Sequence, residues 1–236
     1  MEIPTAQISW MPSFRIISDR YPSVNFFERI AAPADWEALL EIESLTDPSA
    51  ANSVGNLSVV PIEDRISGPG AGRVMPSFTF LDQTPPGSRF SNSQFGAYYA
   101  SNDLETAIAE TVHQREQFMR NHNITTAQEL DQLVILADIV GEFHDIRNLR
   151  AALPKVYNNT EYAASQALAT RLRSDNSNGI VYQSIRHITG ECTAVFRPPV
   201  ISNAIEERHL TYVWDGIRIT GYFEKKSFQE LPESSK

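Results

Sequence analysis

Residues 87–110, with the sequence GSRFSNSQFGAYYASNDLETAIAE, contain a short strand pattern followed by the clearest helix pattern of the chain. Residues 96–100 are small, apolar or aromatic, which favours a strand. Asn102 or Asp103 is a suitable N-cap for a helix whose apolar residues recur with helical spacing from Leu104 onward. Glu110 lies about 600°, or −120°, around that helix from Leu104. The stretch therefore predicts a strand and then a helix, with Glu110 off the apolar face.

Outward from this stretch, helix and strand patterns are interspersed. Helices are predicted over 25–31, 33–45, 146–157 and 161–174, whereas 46–75 is rich in Gly and Pro and is predicted to be mostly loop. Strands are predicted over 14–18, 77–81, 133–140, 179–182, 192–196, 200–204, 209–214 and 217–223. Asp215 and Gly216 mark the turn of a final hairpin. This pattern favours an α+β fold over an alternating doubly wound one.

The chain length is compatible with one domain or two, because 236 residues exceed a typical single domain only slightly. No internal repeat and no linker divides the sequence. A single domain over 1–236 is therefore predicted, with a core over about 14–224 and a polar tail at 225–236.

Charge and cysteine content narrow the classes of function. The formal net charge of −9 argues against direct nucleic-acid binding, which usually needs a basic surface, but it leaves room for a local basic pocket. The single cysteine, Cys192, is predicted to be a buried core thiol and has no partner for an internal disulfide. No signal peptide and no membrane-spanning run is recognised, so a cytoplasmic protein with no membrane contact is expected.

The common catalytic and phosphate-binding motifs are absent from the sequence. There is no G-x-x-x-x-G-K-[ST], G-x-S-x-G or H-E-x-x-H pattern, and the five histidines show no metal-ligand spacing. The Gly-rich run 68–72 lacks the spacing of a dinucleotide loop and is interpreted as a turn. No metal site is therefore expected.

Four short motifs occur in an order that is typical of one family. They are GSRFS at 87–91, YYA at 98–100, AIAE at 107–110 and YQSIR at 182–186, the last followed by Gly190 and by a strand with Val195 and Phe196. In this order they resemble the RES domain family, which is named for its Arg, Glu and Ser. The resemblance extends from Arg29 to the hairpin after Trp214 and is closest to the longer members.

The resemblance implies an ADP-ribosyltransferase-like fold with a central, mostly antiparallel, split β-sheet flanked by helices. It implies a toxin of a toxin–antitoxin pair that consumes NAD+ by cleaving the nicotinamide–ribose bond, through hydrolysis or phosphorolysis. Two alternatives remain: a mono-ADP-ribosyltransferase that modifies a cellular protein, and a non-catalytic binding protein with the same fold. NAD+ is then a substrate, and no cofactor is expected. The implied partner is an Xre-type helix-turn-helix antitoxin, and a homodimer within that complex is compatible with the family.

Carried over by position, the resemblance implies roles for five residues. Glu110, Tyr98 and Ser184 match the catalytic residues of the family, and Arg29 and Arg89 match arginines that bind NAD+. The spacing before Glu110 is one residue longer than in shorter members, which leaves open whether Tyr98 or its neighbour faces the site. The loop around Arg89 also departs from the Gly-Arg-Trp-Asn of shorter members.

The residue types suit the implied reaction. Arginine binds pyrophosphate oxygens bidentately, and a carboxylate stabilises the oxocarbenium-like ribose that develops as nicotinamide leaves. Each candidate also has a purely structural interpretation. Arg29 can pair with Glu28 or Asp35, Tyr98 can belong to the core, and Ser184 can simply end a strand.

Overall fold

A single seven-stranded sheet forms the centre of the protein in the computed structural model, which describes residues 2–29, 32–47, 49–81 and 87–226. The strands are β1 (Thr5–Ser18), β2 (Tyr98–Ser101), β3 (Gln128–Asp145), β4 (Gly179–Gln183), β5 (Glu191–Val195), β6 (Ile201–Trp214) and β7 (Ile219–Glu224). Their order across the sheet is β1-β2-β5-β4-β3-β6-β7, and β1 also pairs with β3. The predicted tail at 227–236 lies outside the described residues.

Nearly all strand pairings are antiparallel. The exception is a short parallel pairing in which His144 and Asp145 of β3 lie opposite Ile180 and Val181 of β4. Because β1 pairs with both β2 and β3, the pairings β1-β2-β5-β4-β3 form a closed circuit, and β6 and β7 extend from it. The α+β class and the mostly antiparallel sheet are thus confirmed.

The helices lie around this sheet. They are α1 (Trp36–Ser44), α2 (Ala50–Val54), α3 (Ala71–Val74), α4 (Pro76–Thr79), α5 (Leu104–Asn121) and α6 (Ala163–Ser174). Short 3-10 turns occur at Asn25–Glu28, Pro33–Asp35, Leu57–Val59, Ile62–Asp64 and Pro198–Val200. None of the helices in the described ranges is long and apolar enough to cross a membrane.

Helix α5 begins where the sequence predicts. Asp103 is its N-cap, because the Asp103 side chain accepts a hydrogen bond from the Thr106 backbone N–H. Ala107 and Ile108 are buried and pack with Ile16 of β1 and Val134 of β3. This packing fixes the rotation of α5 on the sheet, and with it the direction in which Glu110 projects.

Three predictions of local structure are wrong, and of the helix predicted over 25–31 the structure has only the 3-10 turn Asn25–Glu28, with residues 30 and 31 outside the described chain. Residues 77–81 alternate like a strand, but Pro76 opens the short helix α4, as its fixed φ permits at a first helical position. Residues 146–157 have helical spacing yet form separate turns, because Pro154 has no N–H to donate to a preceding carbonyl. Residues 46–75, predicted to be mostly loop, contain α2, α3 and two 3-10 turns, so they hold more helical structure than predicted.

Two strands are longer than their sequence patterns indicate. Strand β1 begins at Thr5 rather than at residue 14, and both Ile3 and Ile8 are buried, so the core begins earlier than predicted. The segments predicted as strands over 200–204 and 209–214 are one continuous strand, β6. Its register against β3 shifts twice, between Val134 and Ile135 and between Leu136 and Asp138, and these irregularities interrupt the alternation on which the prediction relied.

Candidate functional site

A cavity of about 1,070 Å³ lies between β1, β2, the face of α5 that carries Glu110 and the chain around residues 21–29 and 72–81. Among the described residues, its charged lining consists of the arginines Arg15, Arg29, Arg73 and Arg115 and the carboxylates Glu43, Asp47 and Glu110. Tyr99 and Tyr182 contribute aromatic surface. The cavity is thus a partly apolar cleft with a local excess of positive charge in an acidic protein.

Glu110 lies in the wall of this cavity, one helical turn after the buried Ala107. Its Oε1 accepts a hydrogen bond of 2.6 Å from Ser184 Oγ. Cys192 Sγ lies 3.9 Å from the same oxygen. Cys192 is buried, and burial raises the pKa of its thiol, so Cys192 is the core thiol that was predicted, here at the edge of the site.

Ser184 follows β4 and is almost fully buried. Its Oγ accepts hydrogen bonds from the backbone N–H groups of Arg186 and His187, both at 3.0 Å. Since these donors occupy the hydroxyl lone pairs, the hydroxyl proton is directed to Glu110. Ser184 is therefore a donor to the Glu110 carboxylate, rather than only the end of a strand.

Tyr98 and Tyr99 point in opposite directions, as successive residues of a strand do. Tyr98 is fully buried in the core and does not line the cavity, and its buried hydroxyl has no hydrogen-bond partner among the described residues. Tyr99 lines the cavity, where its hydroxyl accepts the Phe90 N–H at 2.9 Å and lies 3.1 Å from Ser91 Oγ. Burial raises the pKa of Tyr99 to about 12. The open choice between the two tyrosines is decided in favour of Tyr99 as the residue that faces the cavity.

The two arginines that the sequence singled out occupy different environments. Arg29 lines the cavity, has a half-exposed side chain, and forms an ion pair with Glu43 of α1, not with Glu28 or Asp35. Arg89 does not line the cavity. Its Nη1 donates to the carbonyls of Val156 and Asn158 at 3.0 and 2.8 Å, and its guanidinium lies 5.1 Å from the centre of the Tyr162 ring.

Two other arginines are better placed to bind an anion. Arg15 of β1 donates to the Tyr99 carbonyl at 3.0 Å, lies over the Tyr98 ring, and has a buried Nε that meets no acceptor within the described ranges. Arg115 of α5 donates to the Gln132 side chain at 3.1 Å. Neither has a carboxylate within ion-pair distance in the described part of the chain, and burial lowers the pKa of both.

Sequence reasoning missed Arg15 and Arg115, although each gave a signal. Arg15 interrupts the apolar run Phe14-Arg15-Ile16-Ile17 of a strand, where a cation is costly unless it faces a polar space. Arg115 lies one helical turn after Thr111, which also lines the cavity. Within the described ranges, no three His, Cys, Asp or Glu side chains are grouped as metal ligands.

Comparison with known proteins identifies the family. Residues 62–215 match the sequence profile described as the RES domain, which is well over half of the chain. The chain is 27% identical over 212 residues to the uncharacterized protein y4oC of Sinorhizobium fredii (strain NBRC 101917 / NGR234), covering 88% of this chain and 84% of that protein. Among solved structures, the M. tuberculosis MbcT–MbcA toxin–antitoxin complex aligns over 86% of both chains, with a TM-score of 0.44 and 8% identity. On the sequence match, this chain belongs to the RES domain family.

Proposed function

We propose that this protein is the toxin of a toxin–antitoxin pair and acts in the cytoplasm by cleaving the nicotinamide–ribose bond of NAD+. The observation that carries the proposal is the Glu110 carboxylate, which accepts a hydrogen bond from the buried Ser184 in a cavity that also contains Arg15 and Arg115, neither of them paired with a described carboxylate. Membership of the RES domain family supports it. The proposal includes the expectation from the sequence that this protein has an ADP-ribosyltransferase-like fold.

Glu110 has the chemistry that the bond cleavage needs. As nicotinamide departs with the bonding electron pair, positive charge develops on the ribose, and a carboxylate beside the sugar stabilises it. The Ser184 hydrogen bond fixes Glu110 Oε1, and Oε2, which has no hydrogen-bond partner among the described residues, is proposed to accept from a ribose hydroxyl. In hydrolysis, water adds to the ribose carbon, so the products are ADP-ribose, nicotinamide and a proton.

Arginine and tyrosine side chains of the cavity are proposed to bind the parts of NAD+ that lie outside the reacting ribose. Arg15 and Arg115 are proposed to bind the pyrophosphate, because they line the cavity and are not neutralised by described carboxylates. Tyr99 is proposed to stack on the nicotinamide ring, since of the adjacent Tyr98 and Tyr99 it is Tyr99 that lines the cavity. Arg29 is proposed to bind substrate only after its ion pair with Glu43 opens.

An antitoxin partner is part of the proposal. A freely active NAD+ consumer would damage the cell that makes it, so an inhibitor must accompany it. The arginine-lined cavity suits a carboxylate-bearing segment of such a partner. Because this chain has a net charge of −9, DNA contact is assigned to the antitoxin, as expected of an Xre-type protein.

The test is release of nicotinamide from NAD+ by the purified protein and by two matched variants. Glu110→Gln should lower the rate by roughly 10²–10³, the usual cost of losing one preorganised transition-state partner. Glu105→Gln is the control, because Glu105 is exposed on the same helix and does not line the cavity. Added phosphate and cell lysate, with ADP-ribose products identified by mass spectrometry, distinguish water, phosphate and protein as acceptors. A folded Glu110→Gln protein with the parental rate would overturn the assignment.

A further inference from the structure

The first turn of α5 and the turn that follows Ser184 are joined by a chain of hydrogen bonds. Thr106 Oγ1 donates to Asp103 Oδ2 at 2.7 Å, and the same hydroxyl lies 2.7 Å from His187 Nδ1. A hydroxyl has one proton, and here the Asp103 carboxylate accepts it. Thr106 Oγ1 is therefore the acceptor for His187, and the His187 ring carries its hydrogen on Nδ1. Asp103, Thr106 and His187 are called the positioning chain below.

The turn that carries Ser184 is closed by its own backbone and packs directly on Thr106. Ser184 N–H donates to the Gly190 carbonyl at 2.8 Å, and Gly190 N–H donates to the His187 carbonyl at 3.0 Å. A Cβ added at Gly190 would lie 2.1 Å from Thr106 Oγ1. Only glycine fits there, so the turn approaches α5 as closely as its backbone allows.

The positioning chain and the Ser184–Glu110 hydrogen bond both attach the turn at residues 184–190 to the same face of α5. Thr106 and Glu110 are four residues apart on α5, so they are neighbours on its surface. Thr106 is fully buried and contacts the turn at His187. Ser184, three residues earlier in the same turn, donates to Glu110. Movement of the turn away from Thr106 would lengthen the 2.6 Å bond to Glu110.

We propose that Thr106 and His187 are positioning residues, which hold Ser184 Oγ on the Glu110 carboxylate and so keep that carboxylate oriented for bond cleavage. The inference rests on the proposed function, because it assigns Glu110 to the reaction. It also gives Asp103, the N-cap of α5, a second role besides capping the helix. Through Thr106, the Asp103 carboxylate polarises the hydroxyl that binds His187.

Thr106→Val tests the proposal, because it removes the hydroxyl and keeps the shape of the side chain. We expect kcat for nicotinamide release to fall roughly 10-fold, the scale of one lost charge-assisted hydrogen bond, with KM within about twofold of wild type. Thr106→Ser restores the hydroxyl and should recover most of kcat. Thr220→Val is the matched control, since Thr220 is exposed on β7, away from the site. Equal losses in Thr106→Val and Thr106→Ser would overturn the role of the hydroxyl.

His187→Phe gives a second variant that does not disturb the helix N-cap. It should lower kcat as Thr106→Val does, and neither substitution should add to the loss caused by Ser184→Ala, because all three act through the same bond. Additive losses would overturn the proposal.

Hydrogen–deuterium exchange of the Arg186 and His187 amides supplies a readout that needs no substrate. Both amides donate to Ser184 Oγ, and their exchange should accelerate about 10-fold in Thr106→Val if the turn is released. Unchanged exchange, or faster exchange with unchanged kcat, would contradict the positioning role. If the wild-type protein releases no nicotinamide at all, the proposed function fails, whereas the exchange rates still show whether the chain holds the turn.

Discussion

Ser184 and Glu110 are 74 positions apart in the chain and are joined by a hydrogen bond of 2.6 Å from the Ser184 hydroxyl to Glu110 Oε1. Two backbone N–H groups fix the direction of that hydroxyl. The bond orients a carboxylate that lies in the wall of the arginine-lined cavity. This relationship connects the strand end of β4 with the cavity face of α5.

Loss of the Ser184 hydroxyl should impair catalysis more than stability. Ser184→Ala is expected to lower kcat for nicotinamide release roughly 10-fold to 100-fold, because a hydrogen bond to a charged group is lost where the transition state needs an oriented carboxylate. Ser174→Ala is the control, since Ser174 is exposed on α6 and its hydroxyl donates to the Thr170 carbonyl of the same helix. Steady-state kinetics measure both variants, and equal kcat values for the two would contradict the role of Ser184.

Arg15 should contribute more to NAD+ affinity than Arg89. In a Glu110→Gln background, where substrate is preserved, Arg15→Lys should raise the Kd roughly 10-fold, because lysine lacks the guanidinium fork. Arg89→Lys should change the Kd less and should instead lower the free energy of unfolding by about 1 kcal/mol, because Arg89 bonds two loop carbonyls. Calorimetric titration and urea unfolding measure the two effects. A larger Kd change in Arg89→Lys than in Arg15→Lys would indicate that Arg89 binds the pyrophosphate.

The two adjacent tyrosines should respond oppositely to removal of their hydroxyls. Tyr98→Phe is expected to raise the free energy of unfolding by about 1 kcal/mol, because the buried Tyr98 hydroxyl has no hydrogen-bond partner in the part of the chain that the structure describes. Tyr99→Phe should lower it by about 1–2 kcal/mol, since the Phe90 N–H and Ser91 lose their hydrogen-bond partner. Urea denaturation of the two variants decides the matter, and a loss of stability in Tyr98→Phe would show that its hydroxyl finds a partner in solution.

His113 should make the protein less stable in mild acid. Burial, and then the nearby Arg186, lower the pKa of His113, and the Arg186 guanidinium donates to His113 Nε2 at 2.7 Å, which only a neutral ring accepts. The unfolded chain therefore binds a proton at higher pH than the folded protein. Stability contributed by the neutral ring is present above the unfolded pKa of about 6.5 and falls as pH decreases below it.

Replacing His113 should therefore reduce the loss of stability between pH 7.5 and 5.5. His113→Gln removes the titrating ring and keeps an acceptor for Arg186. Urea unfolding at the two pH values measures the difference, and exposed His122→Gln serves as the control. The same pH dependence in His113→Gln as in wild type would contradict this origin. His144, whose pKa is also lowered by burial, supplies the part of the slope that should remain.

Much of the fold follows from local pattern. The Asp103 cap, the buried face of α5 and the strands around Val134, Ile180 and Ala194 were predictable, because apolar spacing and capping act within a few residues. The wrong predictions of secondary structure have local causes that act against the apolar pattern. Pro76 and Pro154 outweigh the periodicity around them, and the bulges of β6 interrupt its alternation.

The sequence by itself determined the family, the α+β class and the candidacy of Glu110, because ordered motifs and helical spacing are properties of the linear chain. Only the tertiary structure decided which arginines and which tyrosine line the same cavity as Glu110. Tyr98 and Tyr99 carry the same side chain, and the pleat of β2 places one in the core and the other in the cavity. Arg15 and Arg89 have equal charge, but Arg89 is bound by the carbonyls of residues 156 and 158, whereas Arg15 lines the cavity without a described carboxylate partner. Such assignments depend on contacts between distant segments, which residue type and spacing do not specify.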